Sequence, residues 1–163
     1  MPELTIGLMT KSDIDQVHAI EKACFSVPWS RESFVLEVTE NACARYLVLR
    51  EDEQAVAYGG MWFVLDEGHI TNIAVRPDRR RRGYGEMVTR AMIRLAADSG
   101  MASLTLECRR SNLAAQMMYR KLGFVDVGYR KGYYADNNED ALIMLNERLP
   151  EGDPENDPFL IRL

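Results

Sequence analysis

Hydrophobic and polar positions along this chain follow two periods, and the points where one gives way to the other mark its elements. Leu4 to Leu8 suits a short first strand. Ser12 then stands as an N-cap with Asp15 in the first turn, and Ile14, Val17, Ile20 and Cys24 form a helical stripe ending near Phe25. Pro28-Trp29-Ser30 interrupts that stripe, and Ser30 caps a second helix with Phe34, Val35 and Val38 facing inward. Trp29 either lines a substrate cleft or anchors the packing between helices. Arg45 to Arg50 and Gln54 to Val64 read as a hairpin around the polar turn Glu51 to Glu53, and Asp66-Glu67-Gly68 is a second turn.

His69 to Val75 is rich in β-branched residues and predicts a strand, but its apolar positions fall at Ile70 and then at Ile73 and Val75. That slip in parity suggests a bulge near Asn72. Helical period returns with Met87, Val88, Ala91, Met92, Leu95 and Ala96, and Gly100 is a good stop. Ser103 to Cys108 is most simply a parallel neighbour of the central strand, joined by a right-handed crossover. Ser111-Asn112 caps a helix over Leu113 to Leu122, and Gly123 ends it. Phe124 to Tyr129 and Ala141 to Leu145 suit a final antiparallel pair across the loop Lys131 to Asp140. The fold class is α/β with a mixed sheet and flanking helices. One domain over residues 1–149 accounts for these elements, and residues 150–163 form an acidic, proline-bearing tail, flexible or loosely docked.

Charge narrows the function classes. The chain has 163 residues, 20 basic and 25 acidic, net -5, which excludes general nucleic-acid binding through counterion release. An acidic body with one arginine cluster suits an anionic cofactor and a basic macromolecular substrate. Cys24, Cys43 and Cys108 lack metal-ligand spacing and predict free thiols in a reducing compartment, with no metal. No stretch has the length of a signal or a membrane span, so the expectation is a cytoplasmic protein without membrane contact.

The arginine cluster lies between central strand and helix, as Arg80-Arg81-Arg82-Gly83-Tyr84-Gly85. Glycines there permit a tight turn, and the helix start offers unpaired N–H groups and a positive dipole end, which together make an anion site. A solvated basic face is the competing reading. The loop is neither a P-loop nor a three-glycine dinucleotide fingerprint. It matches [QR]-x-x-G-x-[GA] after Val-x-Pro, and in this it resembles the pyrophosphate loop of the GCN5-related N-acetyltransferases (GNAT), which implies acetyl-CoA as co-substrate.

Candidate chemistry sits downstream. In Leu104-Thr105-Leu106-Glu107-Cys108 the carboxylate of Glu107 shares a face with Thr105 and Ser103, near the C-terminal end of an inner strand, where open α/β sheets bind ligands. Burial there would raise its pKa and make it a better base; alternatively it is a structural partner of Arg109 or Arg110. Tyr119, in the following helix, is a core aromatic or a proton donor. Phe25-x-x-Pro-Trp-Ser, Asn72-Ile-Ala-Val, Leu106-Glu-Cys-Arg-x-Ser-Asn, Tyr119-x-x-Leu-Gly-Phe and Tyr133-Tyr134 followed by Asp140-Ala-Leu-Ile-Met resemble the RimI-type members of the family, which acetylate the N-terminal alanine of a small-subunit ribosomal protein. That resemblance implies Glu107 as general base and Tyr119 as general acid. It implies Ile73, Ala74 and Val75 for the acetyl and pantetheine arm, Arg81, Arg82, Gly83, Tyr84, Gly85 and Glu86 for the pyrophosphate, and Asn112 for the cofactor as well. Two other expectations remain open: a small amine as substrate, or a non-catalytic acetyl-CoA-binding module.

Overall fold

Among the described residues seven strands form one mixed sheet, in the order β1 (Leu4–Leu8), β2 (Ala44–Glu51), β3 (Gln54–Val64), β4 (Glu67–Val75), β5 (Ser103–Arg109), β7 (Glu139–Asn146) and β6 (Val125–Tyr134). The computed structural model describes residues 1–157; positions 158–163 of the expected tail lie outside the described residues. The chain divides into two compact units, one made of Met1–Trp62 and Thr71–Met92, the other of Phe63–Ile70 and the chain from Ile93 onward.

In the first unit, β1 (Leu4–Leu8) pairs antiparallel with β2 (Ala44–Glu51), which pairs antiparallel with β3 (Gln54–Val64). The hairpin turns through Asp52 and Glu53, at φ 51° and 92°; a two-residue turn of this kind matches the strands' own twist. Helices α1 (Ile14–Cys24) and α2 (Arg31–Thr39) cover the core of Ile14, Val17, Ile20, Phe34, Tyr46, Val48 and Tyr58. Ser30 caps α2 as its sequence suggests, accepting from Ser33 N–H at 3.1 Å. Ser12 does not cap α1. It lies inside a 3-10 turn, Lys11–Asp13, and Asp13 is the N-cap, its carboxylate accepting from Thr10 N–H and from Arg50.

β4 (Glu67–Val75) resolves the parity slip. Gly68, Ile70, Asn72 and Ala74 are buried in unbroken alternation, with Ile73 and Val75 half-buried on the other face. The slip therefore comes from a buried polar residue, Asn72, on the inner face. In α3 (Tyr84–Asp98) the stripe holds except at its first position: Met87 is exposed, while Val88 and Met92 are fully buried. A Cβ on Gly59 would lie 2.4 Å from Met92 Sδ, so only glycine lets α3 seat on β3 there.

In the second unit, β4 pairs parallel with β5 (Ser103–Arg109) through Glu67–Ser103, Gly68–Leu104 and His69–Thr105. β5 pairs antiparallel with β7 (Glu139–Asn146), and β7 with β6 (Val125–Tyr134). The expected loop over Lys131 to Asp140 is mostly strand, with the turn confined to residues 135–138. Tyr133 and Tyr134 lie edge to face at 5.1 Å, and aromatic residues favour the extended chain that the polar composition obscures. Asn112 caps α4 (Leu113–Lys121) through its side-chain oxygen. After β7, Arg94 donates to Glu151 O and Asp153 N–H to Asp98 Oδ1 at 2.8 Å, which fixes the start of the acidic segment on the end of α3.

Candidate active site

Period-two alternation on β5 buries Leu104, Leu106 and Cys108 and leaves Thr105 and Glu107 on the opposite face. The Glu107 side chain is 10% exposed, and its Oε2 lies 3.0 Å from His69 Nε2, with Arg130 Nε 3.6 Å from Oε1. Its partners are therefore neither Arg109 nor Arg110. Arg109 is committed to Asp136 and Glu139 and lies over the Tyr134 ring, and Arg110 pairs with Asp140 beside Tyr129. Burial alone would raise the Glu107 pKa as the sequence suggests, but the hydrogen bond and charge of His69, with the charge of Arg130, outweigh it and hold the carboxyl below its ordinary value. The group is thus an ionised acceptor at neutral pH.

His69 and Arg130 are the residues that sequence reading missed here. One signal pointed to His69: in a parallel pair with Thr105 opposite it, the ring comes beside the residue two positions further along β5.

Tyr119 lies in α4, buried, with its ring edge-on to Phe124 at 5.7 Å. Burial, with smaller contributions from Cys108 and Tyr134, pushes its phenol pKa well up, so the hydroxyl keeps its proton. Among the described residues no group hydrogen-bonds to it, which leaves a protonated donor uncommitted. Asn112 spends its side-chain oxygen on the α4 cap, and its amide retains donor capacity.

The arginine loop is built from its anchors. Glu51, buried at the end of β2, accepts from Tyr84 Oη at 2.9 Å and from Arg79 Nε at 3.0 Å, and Arg82 Nη1 approaches it at 3.9 Å. Those contacts pin both ends of the turn. Between them Arg81 and Gly83 take φ of 65° and 79°. Helix α3's first backbone bond runs from Met87 N–H to Gly83 O, so the amides of Tyr84 and Gly85 precede it without an acceptor in the helix. A Cβ on Gly83 would meet nothing within 4 Å. Open space, the amides of Tyr84 and Gly85, the exposed guanidinium groups of Arg81 and Arg82 and a helix dipole suit a diphosphate. Glu86 turns its charge to Arg90, at 3.0 Å.

On β4, Ala74 is buried, Ile73 and Val75 are half-buried, and Val75 O accepts from the Cys24 thiol at 3.3 Å. Trp29 packs on Phe34 with ring centroids 5.6 Å apart and joins the core as an anchor. Among the described residues no group of three or more His, Cys, Asp or Glu is arranged to hold a metal, and no helix is long and apolar enough to cross a membrane.

Comparison with known proteins adds independent findings. An enzyme of Salmonella typhimurium, ribosomal protein bS18-alanine N-acetyltransferase, is 38% identical over 144 residues, 86% of this chain and 95% of the relative. A Bacillus subtilis protein provisionally given the same name is 44% identical over 136 residues, 83% of this chain and 90% of its own. The crystal structure of the ribosomal-protein-S18-alanine N-acetyltransferase from Escherichia coli superposes with a TM-score of 0.83 at 32% identity, covering 93% of this chain and 98% of that one. Residues 14–124 match the model of the acetyltransferase (GNAT) family, and the chain belongs to that family.

Proposed function

We propose that this chain is a cytoplasmic, acetyl-CoA-dependent N-terminal acetyltransferase whose substrate is the N-terminal alanine of ribosomal protein bS18. The observation that carries the chemistry is Glu107, ionised near the end of β5 with Oε2 tied to His69 and Oε1 held only loosely. Relatives of 38% and 44% identity that carry this activity in their names support the choice of substrate.

The depressed pKa of Glu107 bears on which amine it serves. A carboxylate is a weak base, and an α-amino group of pKa near 8 is already about a tenth neutral at pH 7, whereas a lysine near 10.4 is neutral in less than one part in a thousand. Glu107 therefore suffices for an N-terminus. Arg81 to Glu86 hold the pyrophosphate of acetyl-CoA, and Ile73, Ala74 and Val75 lie along its acyl arm, with an N–H of that strand segment polarising the carbonyl. Asn112 donates its free amide to the same molecule. When bound, acetyl-CoA supplies an activated acyl carbon. Glu107 takes the proton as the amine nitrogen bonds to that carbon, and Tyr119 gives its proton to the departing sulfur.

Steady-state kinetics with an alanine-first peptide test this assignment. Glu107→Gln should lower kcat by roughly 10²- to 10⁴-fold, the usual worth of a general base, with the Kd of acetyl-CoA unchanged. Tyr119→Phe should lower kcat in the same sense. A fully active Glu107→Gln enzyme would remove Glu107 as base.

A further inference from the structure

We propose that His69 is a positioning residue for this reaction: it ties down Oε2 of Glu107 so that Oε1 takes the amine proton, while the Thr105 hydroxyl sets which ring nitrogen carries hydrogen. The inference rests on the reading of Glu107 as base.

An ionised carboxylate only accepts hydrogen bonds, so the nitrogen facing it, Nε2 at 3.0 Å, carries the hydrogen. In the neutral ring Nδ1 is then an acceptor, and Thr105 Oγ1, 2.8 Å away, donates to it. Thr105 Oγ1 also lies 3.5 Å from Gly68 O. When the ring gains a proton the hydroxyl turns to that carbonyl and accepts from Nδ1–H. Either charge state keeps the grip on Glu107. The backbone fixes this arrangement: His69 is the last residue of β4 in the parallel ladder, opposite Thr105, which is two residues before Glu107. Arg130 cannot substitute for it, because its Nε is 3.6 Å from Oε1, beyond hydrogen-bond length, on a side chain 59% exposed.

The test is steady-state kinetics at neutral pH for the wild type, His69→Ala, His69→Gln, Thr105→Val and Glu107→Gln, with kcat separated from KM and with acetyl-CoA affinity and Tm measured on each. His69→Ala should lose about tenfold or more in kcat with acetyl-CoA affinity unchanged. His69→Gln, whose amide donates to the same oxygen, should recover most of that loss. Thr105→Val, which leaves the ring tautomer unset, should lose part of the same kcat. Wild-type kcat in His69→Ala, alongside an inactive Glu107→Gln, overturns the role of His69 alone, whereas an active Glu107→Gln overturns the base assignment itself. Should His69→Ala not fold, wild-type kcat in Thr105→Val overturns the proposal.

Discussion

Gly83 and Gly100 make a matched pair for testing the pyrophosphate loop. Both have positive φ, 79° and 84°, and a Cβ on either would meet nothing within 4 Å. Replacing each with alanine therefore carries the same cost in the free protein, left-handed backbone strain of about 1–2 kcal/mol, with no steric term. For a chain of this length that corresponds to a fall in Tm of roughly 2–8 °C in either variant. Ligand binding separates them. If the diphosphate lies against the turn, the added methyl on Gly83 occupies its space, and one displaced hydrogen bond to a charged group, about 1.5–3 kcal/mol, weakens acetyl-CoA about ten- to a hundredfold. Gly100, at the far end of α3, has no such neighbour in this account. Isothermal titration calorimetry with acetyl-CoA, beside thermal melts, reads both effects. Equal affinity in Gly83→Ala and Gly100→Ala would refute the placement of the diphosphate on this loop.

Two further outcomes concern stability. Glu21 is buried on α1 and accepts from Tyr58 Oη at 2.7 Å, yet burial outweighs that bond and the other contacts and raises its pKa. The folded state then binds this proton more tightly than the unfolded chain does, so the contribution of Glu21 is fully present below the unfolded pKa and is lost as pH rises through the folded one. Denaturant titrations should accordingly show Glu21→Gln gaining on the wild type between pH 4 and pH 7, and a constant difference would contradict the sign. A Cβ on Gly152 would sit 1.8 Å from Ala97 O, so Gly152→Ala must displace the segment that hydrogen-bonds to Asp98. Its loss of stability, about 1.5–3 kcal/mol for the hydrogen bond to the buried Asp98 carboxylate, should equal that of truncation after Leu149; an unperturbed Gly152→Ala would show that the docking is not needed.

The elements were legible wherever a local rule set them. Ser30, Asn112, Gly100 and Gly123 stop or start helices because caps and left-handed backbone are satisfied within a few residues. Non-local partners were not legible. Ser12 lost the α1 cap to Asp13 because Arg50 reaches that carboxylate from β2. Asn72 reads as a break in a strand until its burial is known, and Met87 fits the helical period but is exposed, one turn into α3. Lys131 to Tyr134 read as loop because pairing with β7 depends on contacts the local sequence does not state. The candidate site divides along the same line. The glycine loop, Glu107 and Tyr119 stood out by pattern, whereas His69 acquires a role only through the register of two parallel strands 36 residues apart in sequence.

The chemistry proposed for Glu107 and Tyr119 is acetylation of a terminal α-amine. Mass spectrometry after incubation with acetyl-CoA, comparing an alanine-first peptide containing one lysine with the same peptide blocked at its N-terminus, tests it most directly. A single added acetyl group is expected on the first alanine of the free peptide and none on the blocked one. Acetylation of the blocked peptide at lysine, at a comparable rate, would contradict it.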